Sequence, residues 1–227
     1  MRLKARKKSK EMAYKGAIFD MDGLLFDTER VYQETWHEIA EEKGVVLSDD
    51  FVGAISGTNG AHMRQVVEDY YHVSDGTGII EDCMKRVREK LSRQVPVKKG
   101  VPEILEFFRE NNIPMAVASS SPVEQILSNL EIAGIREYFS EIVSGTEAKR
   151  GKPAPDIFLL AAERISRRPG DCYVFEDSEN GIKAGYAAGC RTVMIPDLME
   201  ASPEIRPYCT FVCEDLIEAR EKMREMD

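Results

Sequence analysis

The chain contains no long apolar run, because no stretch approaches the roughly 18 consecutive apolar residues that a membrane-spanning helix needs. It has five scattered cysteines and three histidines, with no CxxC pair and no Cys/His cluster of zinc-ligand spacing. No segment of 20–50 residues repeats along the sequence. These absences argue against a membrane span, a zinc-binding module and a repeat architecture. We therefore expect a soluble cytoplasmic protein with reduced thiols.

Positive charge is the scarcer sign, with 31 Lys and Arg against 40 Asp and Glu and a net charge of −9. Such an acidic body repels phosphate backbones, so nucleic acid is not an expected partner. Six positive charges nevertheless fall in the first ten residues, at Arg2, Lys4, Arg6, Lys7, Lys8 and Lys10. No apolar segment of a secretory signal follows them. We expect residues 1–12 to form a disordered, solvated arm, with a tether to nucleic acid or an anionic surface as the alternative.

What the chain does have is 227 residues, 43% of them hydrophobic, which suffices for a full core. Short apolar runs rich in β-branched and aromatic residues predict strands at 15–19, 114–118, 141–144, 171–175, 191–195 and 210–213. From about residue 100 onward, helix-period segments alternate with these runs. This alternation predicts an α/β fold with a parallel sheet covered by helices on both faces.

The interval from residue 28 to residue 95 breaks the alternation. Three apolar stripes of helical spacing occur there, around Trp36, Val66 and Cys83, with Gly- and Ser-containing breaks near 56–60 and 74–78. The pattern predicts an all-helical subdomain inserted after the first strand.

Two carboxylates, Asp20 and Asp22, directly follow the first predicted strand. Residues i and i+2 of an extended backbone project to the same side, so both can face one site. The carboxyl edge of a parallel sheet is where open α/β folds bind ligands. Paired acids there can hold Mg²⁺ through oxygen, and one can act as nucleophile or acid/base. On its own a D-x-D pair is also common in surface turns.

Three later segments place further polar residues at strand ends or in the turns that follow. Ser119 and Ser120 precede a predicted helix start whose N–H groups attract phosphoryl oxygens, with Ser121 as its cap. Lys152 lies in a Pro-bounded turn and can neutralise a transferring phosphoryl group. Glu176 and Asp177 end another strand. Capping serines, a solvated lysine and dipole-complementing acids are the alternatives, but four such coincidences together favour one site.

Four sequence motifs occur in order: FDMDGLLFDTE at 19–29, ASSS at 118–121, GKPAPDIF at 151–158 and FEDSENGIKA at 175–184. Together they resemble the four motifs of the haloacid dehalogenase superfamily. The resemblance implies a Rossmann-like three-layer core over residues 13–27 and 96–227. It also implies a type-1 helical cap over residues 28–95, as in the β-phosphoglucomutase and phosphoglycolate phosphatase branch.

The resemblance further implies a role for each matched residue. Asp20 would be the nucleophile that forms an aspartyl-phosphate, ionised with an ordinary pKa, and Asp22 the acid/base. Mg²⁺ would be held by Asp20, the backbone carbonyl of Asp22 and Asp177, with Glu176 as ligand or outer partner. The phosphoryl oxygens would be bound by Ser119, Ser120 and Lys152.

By this resemblance we expect a Mg²⁺-dependent phosphatase, monomeric, acting on a small sugar phosphate or nucleoside monophosphate. Halide displacement is disfavoured because members that catalyse it lack the second Asp. A phosphosugar mutase is the alternative. Mutases carry an Arg in the cap loop, where this chain has Gly57-Thr58-Asn59-Gly60, and a His where it has Tyr32. A non-catalytic interaction protein on the same fold is the second alternative.

Overall fold

A computed structural model describes residues 15–56, 58, 60–197 and 200–226. The basic segment 1–12 and two positions of the cap loop, Gly57 and Asn59, lie outside the described residues, so the expectations for them stay predictions.

A six-stranded parallel sheet, ordered β3-β2-β1-β4-β5-β6, forms the centre of the fold. The strands are β1 Gly16–Phe19, β2 Met115–Ser119, β3 Glu141–Ser144, β4 Cys172–Glu176, β5 Arg191–Met194 and β6 Phe211–Val212. Every residue of β1, β2 and β4 is buried, which explains their continuous apolar character. The predicted α/β parallel-sheet class is confirmed.

Alternate residues of the central strands pack against two different helical layers. On one face Ile18 and Val174 join a buried cluster with α7 (Asp156–Arg164) and α8 (Glu179–Ala187). On the other face Phe19 stacks on Phe175 at 4.6 Å between ring centroids, and Phe108 of α5 (Val101–Glu110) meets both rings edge-on. Helix α9 (Leu216–Glu225) packs beside α5. The three-layer arrangement follows from this alternation.

The order of the strands fixes where a ligand can bind. From β1 the chain proceeds to β2 on one side, and β4 pairs with β1 on the other side. The connections therefore diverge at β1, and the crevice beyond its carboxyl end is a topological switch point. The residues that follow β1 and β4, and the last residue of β2, meet at this edge.

The described chain divides into two compact units. One comprises the described parts of Met1–Leu25, Lys98–Leu127 and Ile135–Asp227, and holds the sheet. The other comprises Phe26–Val97 with Ser128–Gly134. Its helices include α1 (Thr28–Glu42), α2 (Phe51–Ile55), α3 (Gly60–Tyr71) and α4 (Thr77–Leu91), and residues 128–132 belong to α6 (Val123–Ile132).

An aromatic cluster forms the core of the helical unit. Phe51 meets both Trp36 and Tyr71 edge-on, and the Tyr71 hydroxyl donates to the carbonyl oxygen of Trp36 at 2.6 Å. Within the described residues of either unit, no helix is long and apolar enough to cross a bilayer.

Candidate active site

Three neighbouring strands deliver three polar side chains to one edge of the sheet. Asp20 follows β1 directly, and its backbone N–H donates to the carbonyl of Phe175 at 3.0 Å, which continues the ladder by one step. Ser119 is the last residue of β2 and Glu176 the last of β4. All three side chains are buried. Because the strands are parallel, their carboxyl ends bring these groups together without any special loop.

Lys152 connects two of the acids. Its ammonium group donates to Asp20 Oδ1, to Glu176 Oε1 at 2.6 Å and to the carbonyl oxygen of Ala118 at 3.3 Å. The Lys152 side chain is only 9% exposed, and its nitrogen lies 5.0 Å from the ring centroid of Phe158. A lysine so enclosed cannot exchange its partners for water, so it fixes the orientation of both carboxylates.

Glu176 is fully buried and held from two sides. While Oε1 accepts from Lys152, Oε2 accepts from the backbone N–H and the hydroxyl of Ser178, both at 2.9 Å. The Ser178 hydroxyl also caps α8 by accepting from the N–H of Gly181 at 3.1 Å. A β-carbon on Gly181 would lie 1.7 Å from Glu176 Oε1, so only glycine admits the carboxylate here.

Burial and like charge set the proton affinities of the cluster. Burial raises the pKa of Asp20 to about 7, with Glu176 and Asp22 adding to the rise and Lys152 opposing it. Burial also raises the pKa of Asp177 well above its usual value, reinforced by Glu176 and Asp20. For Lys152, burial lowers the pKa, but the two carboxylates outweigh it and the net shift is upward. Asp20 thus departs from the ordinary pKa expected from sequence.

Asp22 lies at the same edge and is engaged by a serine. The Ser121 hydroxyl donates to Asp22 Oδ2 at 2.9 Å, and the Ser121 carbonyl accepts from the buried Ser144 hydroxyl at 2.7 Å. The sequence indicates Ser121 as the cap of α6; instead its hydroxyl is directed to Asp22, and α6 begins at Val123.

The two predicted phosphate-binding serines differ in their surroundings. Ser119 is 1% exposed, and its hydroxyl accepts from the backbone N–H of Ser121 at 3.1 Å. Ser120 is exposed, and its backbone packs against Gly145. The side chain of Ser120 is therefore the less constrained of the two.

The carboxylates of Asp20, Glu176 and Asp177 could hold a metal ion, since one oxygen from each lies within 4.8 Å of the others. The set is all oxygen, which suits a hard cation such as Mg²⁺. One ammonium faces three carboxylates in this cluster, and their mutual repulsion contributes to the raised pKa values. A divalent cation would offset that excess, so the residues present fit Mg²⁺.

Sequence reasoning missed one acid near this cluster, Asp197. It lies three residues beyond β5, and its carboxylate pairs with Lys98. The rule that drew attention to Asp20, a polar residue just past a parallel strand, could have indicated Asp197 as well.

Comparison with known proteins gives the family. The family model for haloacid dehalogenase-like hydrolases matches residues 17–195. A phosphorylated carbohydrates phosphatase of Thermotoga maritima is 34% identical over 180 residues, which are 78% of this chain and 82% of that protein. A Drosophila melanogaster protein assigned as a pseudouridine-5'-phosphatase is also 34% identical, over 79% of this chain and 80% of its own.

A solved structure from Thermotoga maritima, assigned as a β-phosphoglucomutase, superposes with a TM-score of 0.80 at 28% identity, covering 93% of this chain and 99% of that one. The resemblance drawn from the four motifs is confirmed. The predicted enzyme class, a phosphoric monoester hydrolase, agrees with the named phosphatases. The chain belongs to the haloacid dehalogenase-like hydrolase family.

Proposed function

We propose that this protein is a Mg²⁺-dependent phosphatase that hydrolyses a small phosphomonoester, a sugar phosphate or a nucleoside monophosphate. The observation that carries the proposal is the buried cluster in which the Lys152 ammonium group donates to Asp20 and Glu176, with Asp177 beside them. The named relatives support the substrate class, because they are phosphatases of phosphorylated carbohydrates and of a nucleoside monophosphate.

In the proposed first step a carboxylate oxygen of Asp20 attacks phosphorus, the ester P–O bond breaks, and the leaving oxygen takes a proton from Asp22. In the second step Asp22 removes a proton from water, whose oxygen attacks phosphorus. The Asp20–phosphorus bond breaks, and inorganic phosphate leaves. Lys152 keeps Asp20 oriented and neutralises charge on the phosphoryl oxygens. Ser119 and the amino end of α6 would donate to those oxygens.

Mg²⁺ would be held by Asp20, the backbone carbonyl of Asp22 and Asp177, with Glu176 as a ligand or an outer partner. When bound, it would offset negative charge at the phosphoryl group. Glu176 already has each oxygen engaged, one by Lys152 and one by Ser178. The main role of Glu176 is therefore to orient Lys152.

Hydrolysis is favoured over transfer to a second sugar hydroxyl. A mutase must grip a second phosphate, and the loop at 57–60 carries no fixed positive charge. The next arginine along the chain, Arg64, lies in α3, where it is 53% exposed and faces Glu68 at 3.9 Å. The β-phosphoglucomutase likeness keeps transfer as the second candidate.

The test is phosphate release with Mg²⁺ across sugar phosphates, nucleoside monophosphates and phosphoglycolate, beside NMR detection of isomerised β-glucose 1-phosphate. We expect release concentrated on one compound and abolished by chelation. Isomerisation without net release would establish the mutase instead. Silence in both assays would overturn enzymatic function and favour the interaction protein.

A further inference from the structure

In the part of the chain that the structure describes, only one oxygen of the Asp197 carboxylate has a hydrogen-bond partner. Its Oδ1 accepts from the Lys98 ammonium group, and the two side chains are 11% and 21% exposed. The backbone of Lys98 is held next to the segment that follows β1, since its N–H donates to the carbonyl oxygen of Leu25 at 2.9 Å. The ion pair with Lys98 therefore fixes the orientation of the Asp197 carboxylate.

The second oxygen, Asp197 Oδ2, is buried and has no hydrogen-bond partner among the residues that the structure describes. Leaving a buried carboxylate oxygen without a donor is costly, so native proteins nearly always supply one. Since none of the described residues supplies it, water, an ion or a ligand can fill the place.

Gly23 shows where this oxygen is directed. A β-carbon at Gly23 would lie 2.2 Å from Asp177 Oδ2 and 3.3 Å from Asp197 Oδ2. The two oxygens therefore lie close to each other over the backbone of Gly23, which has a φ of 81° and no side chain to keep the Asp177 carboxylate away. That spacing puts both oxygens within hydrogen-bonding reach of a single water molecule.

We infer that Asp197 is a positioning residue of the proposed metal site: its free oxygen accepts a hydrogen bond from a water ligand of the cation held by Asp20 and Asp177. The inference rests on the proposed function. Lys98 orients the Asp197 carboxylate, and Gly23, which has no side chain, lets the Asp177 carboxylate approach it. Outer groups that orient metal ligands typically contribute 10- to 100-fold in metal affinity.

The experiment measures Mn²⁺ and Mg²⁺ binding to the full chain by calorimetry, with Asp197→Asn as the variant. Asn keeps an oxygen for Lys98 but offers a donor where an acceptor is needed. We expect the Kd for Mn²⁺ to rise about tenfold or more. Phosphate release should recover when Mg²⁺ is raised to saturation, which a merely structural defect would prevent. A Kd within about twofold of the parent overturns the inference.

The matched control is Asp215→Asn. Asp215 also pairs with the adjacent lysine, Lys99, and caps α9, a task that Asn performs equally well. It should leave the Kd for Mn²⁺ unchanged; an equal loss in both variants would overturn a specific role for Asp197. Should Asp197→Asn fail to fold, Asp197→Ala carries the same expectation.

The Asp177→Asn variant distinguishes a failure of the proposed metal site from a failure of the inference about Asp197. If it abolishes Mn²⁺ binding while Asp197→Asn binds as the parent does, the proposed metal site stands and the inference fails. If Asp177→Asn binds as tightly as the parent, the proposed metal site itself fails, and the inference with it.

Discussion

Each of the two units contains a lysine that is paired with acidic side chains, and the two lysines differ in burial. Lys152, in the sheet unit, is 9% exposed and grips Asp20 and Glu176. Lys90, in the helical unit, is 35% exposed; its ammonium group lies 2.8 Å from each oxygen of Glu38 and 3.0 Å from the Thr35 hydroxyl. The first pair lies at the candidate site, and the second joins α4 to α1.

The pKa of Asp20 in the sheet unit shifts in the opposite direction from the pKa values of two acids in the helical unit. In the helical unit, hydrogen bonds from Arg86 lower the pKa of both Glu42 and Asp82. In the sheet unit, the pKa of Asp20 is raised although a lysine touches it, because burial and crowding outweigh that contact. A carboxylate whose charged form is disfavoured destabilises the folded chain, and such groups gather at sites that perform chemistry.

The largest effect on turnover is expected when Asp20 is replaced, in comparison with an acid of the helical unit. Asp20→Asn should lower kcat by at least about a thousandfold, since the amide cannot act as the nucleophile. The fold should persist, because the raised pKa means that burying the charged form opposes folding at neutral pH. Circular dichroism and phosphate release would measure both.

Asp82→Asn in α4 is the control and should leave turnover unchanged. Turnover in Asp20→Asn equal to that of the control would remove Asp20 as the nucleophile.

The next effect compares the two lysines. Lys152→Met leaves two buried carboxylates without their cation and should lower the free energy of unfolding by about 3–5 kcal/mol. Lys90→Met removes a pair at the surface and should lower it by no more than about 1 kcal/mol. Urea unfolding at neutral pH measures both. Equal losses would show that burial does not distinguish the pairs.

The smallest effect compares two helical glycines. Gly181→Ala places a β-carbon against the held Glu176 carboxylate and should lower the free energy of unfolding by about 1–3 kcal/mol, together with activity. A β-carbon at Gly78 in α4 would meet nothing within 4 Å. Gly78→Ala should therefore raise the free energy of unfolding by about 0.5–1 kcal/mol. Thermal unfolding would show the opposite signs; a shared sign would contradict the packing argument.

The sequence patterns predict the sheet well because its strands are buried on both faces and therefore stand out as short apolar runs. Glu141–Ser144 is predicted to the residue, whereas the last strand is shorter than its apolar run and spans Phe211–Val212. Helix α9 is absent from the predictions. Its buried residues are only Leu216, Ala219 and Met223, too sparse a stripe among charged neighbours to stand out.

At the candidate site, strand-end position indicates which residues meet, but not how they are engaged. That Lys152 reaches both Asp20 and Glu176 depends on distances between segments far apart in sequence. Local rules assign Ser121 to helix capping, and its contact with Asp22 arises only in the folded chain. The catalytic and metal-binding roles of these residues stay predictions.

The central strand has a consequence for synthesis of the chain. Gly16–Phe19 leaves the ribosome well before its two neighbours in the sheet, Met115–Val117 and Cys172–Phe175. Both sides of this strand therefore stay unpaired until about a hundred more residues have been synthesised. Non-local pairing of this kind slows folding and exposes strand edges to aggregation. The arrangement that places Asp20 at the switch point also leaves its strand open to aggregation while the chain is being made.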